Sequence, residues 1–192
     1  MATVSRTESA RLRAAEACSA LYISRGTTAL TVSQICEEIA LPQRTFYRYF
    51  PVKADSIGPI FDWSTRTFTM SITAASPDAT LAEILEDAFR AMFDGEHAER
   101  TRALFPLVLA DAEMWSLFLR TVHDGERTLT PVLAPRLGIP DTSLRARTAS
   151  AAVASSTRIA LECMVTEGVD LVEHFMDLLA GFGLVPDQDR SV

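Results

Sequence analysis

Thr31 to Phe50, TVSQICEEIALPQRTFYRYF, followed directly by Pro51, Val52 and Lys53, is the most informative stretch of this chain. Thr31 and Gln34 form a T-x-x-Q capping box, a pattern that starts a helix because each side chain satisfies a main-chain N–H of the other residue. Val32, Ile35 and Ile39 then recur at i, i+3 and i+7, one apolar face of that helix. Leu41-Pro42 breaks it, since proline disfavours the helical region for its predecessor yet sits well in the first turn of a new helix. A second short helix is expected to start near Pro42. On it Phe46 and Phe50 share a face four residues apart, while Gln43, Arg44, Tyr47 and Arg48 lie on other faces. Two short helices joined by a tight turn, the second bearing amide, guanidinium and phenol groups, match what the major groove of DNA admits and presents.

The order T-V-x-x-I-x-x-x-I-x-L-x-x-x-T-F-Y-R-Y-F-x-x-K, from Thr31 to Lys53, resembles the DNA-binding domain of the TetR/AcrR family of bacterial transcriptional regulators. The specific part of the resemblance runs from about Leu12 to Ile57, and beyond it the similarity is architectural. The chain departs from the family where Gly-Val-Ser is usual across the turn and Ala40, Leu41 and Pro42 stand instead. An alanine in a left-handed position costs on the order of 1 kcal/mol, and the proline removes a capping hydroxyl. The resemblance implies an all-α protein with an N-terminal three-helix helix-turn-helix domain, residues 1–52, and a C-terminal helical effector and dimerisation domain, residues 53–192.

Charge is divided in the same way. The chain of 192 residues has a net charge of -7, but Met1 to Lys53 carries 7 basic and 4 acidic residues and Ala54 to Val192 carries 11 basic and 21 acidic. The surplus of positive charge coincides with the motif, so phosphate attraction is local to it. A hydrophobic content of 48% is ample for a core. No apolar run resembles a signal peptide or reaches the roughly 18 residues that a membrane span needs, so the expectation is a soluble, cytoplasmic protein without a membrane partner. Cys18, Cys36 and Cys163 are far apart and lack C-x-x-C spacing, which indicates neither a metal site nor a disulfide framework. His97, His123 and His174 belong to no H-E-x-x-H motif; G-x-S-x-G, the P-loop and G-x-G-x-x-G are absent as well, so no catalytic residue and no cofactor are assigned. Asp111 and Glu113, two residues apart on a helix, point to different faces and read as a polar helix boundary.

Helical signals recur along the chain. A stripe from Leu12 to Tyr22 ends at Gly26, and a long helix is expected from Val52 toward Ala75, bent at Gly58-Pro59. Thr80 and Glu83 form a second capping box, and Gly95 closes the helix that follows. Further helices are predicted over Glu99 to Ala110, over Glu113 to about Leu133 with an interruption at Pro131, over Thr142 to Glu167 with Asp141 as cap, and over Asp170 to Ala180. Without a strand candidate, this is an all-α chain of about nine helices.

Chemistry assigns roles within the motif. Gln43 and Arg44 open the second helix, where base edges are closest: arginine pairs bidentately with guanine and glutamine with adenine. Thr45 suits a thymine methyl or a phosphate. The resemblance matches Tyr47 and Tyr49 to phosphate-donating hydroxyls and Lys53 to a backbone clamp, though the two tyrosines also suit packing of the small domain. Thr31 and Ser33 add phosphate bonds at the start of the preceding helix. Arg48 suits the groove rim or a solvated surface. In the body, Trp63, Arg66, Phe68, Phe89, Met92, Phe93, Phe105, Met114, Trp115, Phe118 and His123 are the candidates for a pocket taking a small hydrophobic or amphipathic effector of unspecified identity; plain core is the competing reading for its apolar members. Ala151, Ser155, Leu171, Phe175, Leu178 and Phe182 are the candidates for a homodimer interface through the last two helices. The expected function is a repressor released by ligand from a palindromic double-stranded operator; a constitutive DNA-binding protein without effector and, more remotely, an all-α enzyme are the alternatives.

Overall fold

The computed structural model describes residues 6–93 and 95–186. Nine α-helices and no strand are found among them: α1 (Arg6–Arg25), α2 (Val32–Glu38), α3 (Gln43–Tyr49), α4 (Gly58–Ala74), α5 (Leu81–Met92), α6 (Glu96–Ala110), α7 (Ala112–Arg136), α8 (Leu144–Thr166) and α9 (Leu171–Gly181), with a 3₁₀ turn over Lys53–Ile57. No helix among the described residues is long and apolar enough to cross a membrane.

The local signals act as their chemistry requires. Thr31 and Thr80 each accept from the N–H three residues on, while Gln34 and Glu83 return the bond to the cap N–H. Gly26 ends α1 with φ of 63°, a conformation glycine adopts without steric cost. Other boundaries differ from the periodicity. The segment after Val52 opens as a 3₁₀ turn and becomes α-helical only at Gly58. Helix α6 begins at Glu96, not Glu99. Helix α7 runs through Pro131 and Pro135 to Arg136 without interruption. Both prolines lie on an exposed face, where water can satisfy the carbonyls left without an N–H partner. Ser143, not Asp141, caps α8, its hydroxyl accepting from Ala146 N–H. Asp170 caps α9 by accepting from the Val172 and Glu173 N–H groups.

The chain divides into two compact units, Met1–Trp63 with Ala103–Thr121 and Ser64–Arg102 with Val122–Val192. In the first, Ala15, Cys18 and Tyr22 of α1 are buried with Ile35, Phe46, Phe50 and Ile57. The Tyr22 hydroxyl shares a buried hydrogen bond of 3.0 Å with Ser56. Phe61, Phe105, Trp115 and Phe118 form a second apolar group in this unit, their rings in contact at 4.9–6.3 Å. In the second unit the Phe89 and Phe175 rings stack in parallel at 3.8 Å, with Phe68 edge-on to Phe175 and Phe93 tilted against Phe89. Arg136, at the end of α7, donates to the carbonyls of Ile72, Thr73, Ala75 and Ser76 at 2.7–3.2 Å and closes the C-terminal end of α4.

Candidate nucleic-acid interface

Helices α2 and α3 meet through a turn that resolves the question posed by Ala40-Leu41-Pro42. Ala40 takes φ of 52°, the left-handed position that costs a β-carbon-bearing residue on the order of 1 kcal/mol. Leu41 N–H donates to Cys36 O at 2.9 Å, so the main-chain carbonyls at the end of α2 find partners even though glycine is missing. Pro42 is the N-cap of α3 and provides no side-chain bond; its carbonyl accepts from Thr45 and Phe46 N–H at 2.8 and 3.0 Å. The turn of the helix-turn-helix therefore forms with Ala40 and Pro42 in place.

Phe46 and Phe50, both fully buried, hold α3 to the first unit with their rings edge to face at 5.2 Å. With that face committed, the remaining side chains of α3 point outward. Gln43, Arg44 and Arg48 are exposed, and Tyr47 is 51% exposed even with its ring edge against Phe46. Thr45 and Tyr49 are half-buried. Two internal contacts order this surface. Gln43 Nε2 donates to Ser33 Oγ at 3.1 Å, joining the first turns of α2 and α3. The Arg48 guanidinium stands 5.1 Å from the centre of the Tyr49 ring, a cation–π distance. Thr31 and Ser33 are exposed at the start of α2, and an ion pair between Arg25 and Glu38 ties the end of α1 to the end of α2.

Lys53 is placed less freely than the sequence suggested. Its ammonium donates to Thr28 O at 2.8 Å, and the Thr28 hydroxyl donates to Asp111 Oδ2 at 2.8 Å. Asp111 Oδ1 accepts from Glu113 and Met114 N–H, capping α7. Burial acts to raise the Asp111 carboxyl, but the bonds from Thr28, Met114 and Glu113 and the charge of Lys53 outweigh it and hold the group below its ordinary value. A groove of about 440 Å³ opens beside these residues, with Gly26, Leu107 and Ala110 on its walls. In the sequence Asp111 reads only as part of a polar helix boundary; its partner Thr28 lies 83 residues away, a separation that no local pattern encodes.

The candidate effector residues fall into two groups. Trp63, Phe105, Met114, Trp115 and Phe118 belong to the first unit, and Arg66, Phe68, Phe89, Met92, Phe93 and His123 to the second. Phe105, Met114 and Phe118, like Phe68, Phe89 and Met92, are buried; Trp63, Trp115 and Phe93 are half-buried, and Arg66 and His123 are exposed. His123 Nδ1 stands 3.6 Å from Glu126. The candidate dimer residues are graded along α9: Leu171 and Phe175 are buried inside the second unit, Leu178 is half-buried, and Phe182 is 53% exposed. Ala151 and Ser155 of α8 are half-buried.

Comparison with known proteins bears on the helix-turn-helix. No curated protein matches the chain. Residues 15–55 match the model for bacterial regulatory proteins of the tetR family, a span that opens within α1 and closes two residues after Lys53. Over these residues the chain carries an N-terminal helix-turn-helix domain similar to the DNA-binding domain of tetR-family regulators.

Proposed function

We propose that the protein is a repressor that binds a palindromic operator as a homodimer and leaves it when a small hydrophobic or amphipathic ligand fills the body, residues 53–192. The observation that carries the DNA-reading part is the division of α3: Phe46 and the C-cap Phe50 are buried, while Gln43, Arg44, Tyr47 and Arg48 are exposed. In this reading Gln43 and Arg44 address base edges, and Thr45 a thymine methyl or phosphate. Thr31, Ser33, Tyr47, Tyr49 and Lys53 hold phosphates, and Arg48 lies at the groove rim. A two-fold dimer presents two such helices to successive major grooves, so its site is palindromic. Phe182 and Leu178, the outward end of the α9 stripe, support a partner on that helix. The aromatic side chains of α4 to α7 support an apolar ligand. The protein works in the cytoplasm, as a binder rather than a catalyst.

Selection from a random duplex pool tests the DNA reading, and a recovered motif without two-fold symmetry overturns it. For the ligand, amphipathic aromatic and acyl compounds, including coenzyme A thioesters, are screened by tryptophan quenching and titrated with and without operator. A true effector binds more weakly to the operator complex, by the same factor by which it weakens DNA binding. Ligands indifferent to operator leave a constitutive DNA-binding protein.

A further inference from the structure

Asp111 does more at its position than a helix cap requires. Capping α7 uses one carboxylate oxygen, which accepts from Glu113 and Met114 N–H at 3.0 and 3.1 Å. A serine or an asparagine would serve there equally well. The second oxygen is aimed at the loop between α1 and α2 and takes the Thr28 hydroxyl, while the carbonyl of the same Thr28 takes the Lys53 ammonium. With both oxygens held by fixed donors, the carboxylate is locked in place. Its negative charge thus stands one residue removed from the lysine at the end of the helix-turn-helix. An ammonium has three N–H donors. One goes to Thr28 O, which leaves two for a phosphate.

We infer that Asp111 is a positioning residue for DNA binding: through Thr28 it fixes the carbonyl that orients the Lys53 ammonium, and its charge restrains that ammonium from phosphate. The inference rests on the reading of Lys53 as a phosphate ligand. Phosphate and Asp111 compete for the same cation, so the restraint acts on every DNA sequence equally and is strongest at low salt. Any event that shifts the α6–α7 junction changes the restraint, because Asp111 is the residue between those helices.

Asp111→Asn separates charge from geometry. The amide oxygen still caps α7, and the amide nitrogen can donate to the Thr28 hydroxyl, reversing that bond without breaking it. A purely structural Asp111 predicts weaker DNA binding in this variant. The restraint predicts tighter binding, by about two- to fivefold, the range of one partly screened charge pair. The full-length protein, Asp111→Asn, Lys53→Gln and the double variant are titrated with a mixed-sequence duplex over a salt series, with a thermal melt of each. The expected result is a gain in Asp111→Asn that is largest at low salt and vanishes in the Lys53→Gln background. A gain that survives without Lys53 reports only reduced overall repulsion and overturns the inference, as does a loss in a variant that melts like the parent. If Asp111→Asn melts early, Asp111→Ser, which keeps a capping hydroxyl and also lacks the charge, carries the same expectation. Unchanged affinity and salt dependence in Lys53→Gln itself is the separate result that removes the underlying reading of Lys53.

Discussion

Helices α3 and α9 each carry one phenylalanine and have a second as their C-cap, and they use the pair differently. On α3, Phe46 and Phe50 are both fully buried, and the rest of the helix is amide, guanidinium, phenol and hydroxyl. On α9, Phe175 is buried against Phe89 while Phe182 is 53% exposed, and Leu171, Val172, Met176, Leu178 and Leu179 make the helix apolar on more than one side. The lesson concerns contrast. Where one narrow apolar face is set among polar residues, the sequence states both what anchors the helix and what it offers to a partner. Where apolar residues surround the helix, only packing tells the inward face from the outward one.

Four measurements break or sharpen that comparison. The largest effect is expected inside the second unit: Phe175→Ala removes a stacked, fully buried ring and should cost about 3–5 kcal/mol in denaturant unfolding. A loss under about 1 kcal/mol would show that the Phe89 contact does not anchor α9. Next is the outward surface of α3, where Arg44→Ala should lose about 1–3 kcal/mol of discrimination at one base step without changing stability. Binding series over singly substituted duplexes locate that step; uniform weakening at all positions would return Arg44 to the phosphates.

The third effect is absent at neutral pH and grows in alkali. Burial, reinforced by the neighbouring Cys36, pushes the Cys18 thiol from its ordinary 9.0 to about 12, and burial pushes the Tyr22 phenol upward against the hydrogen bond it shares with Ser56. Both groups are held neutral in the folded state, so their contribution is complete below about pH 9, where unfolded thiols also stay protonated, and is lost as pH rises toward 12. In a Tyr47→Phe, Tyr49→Phe background, tyrosine ultraviolet titration alongside a melt should show Tyr22 ionisation and unfolding together; a Tyr22 phenol that titrates at its ordinary pH in folded protein contradicts the assignment. The smallest effect on stability belongs to Phe182→Arg, within about 0.5 kcal/mol because the side chain is exposed. Sedimentation is the sensitive readout: a variant that remains dimeric places the interface away from the end of α9.

What the sequence disclosed was local. The capping boxes at Thr31 and Thr80 are four-residue patterns, and both form. The tight turn at Ala40-Leu41-Pro42 and the anchor pair Phe46 and Phe50 are equally short-range. The prolines of α7 misled because their cost depends on which face they occupy, and periodicity alone did not place Pro131 toward solvent. The packing of the effector candidates was hidden for a different reason. Aromatic residues on successive helices look equivalent in a sequence, yet Trp115 and Phe118 pack with Phe105 in one unit, while Phe89 and Phe68 pack with Phe175 in the other. Thr28, Lys53 and Asp111 meet across separations of 25 and 83 residues, where only the fold decides who meets whom.

Arg136 gathers four carbonyls from the end of α4, and this has a consequence for how that region opens. A helix end normally frays by releasing its last carbonyls to water one at a time. Here a single guanidinium that belongs to another helix holds them, with Ile72 O at 2.7 Å and Ala75 O at 2.8 Å. The last turn of α4 therefore cannot loosen by small steps while α7 stays intact. In hydrogen exchange the terminal amides of the two helices should lose protection together, as one cooperative unit whose opening energy reflects the packing of both.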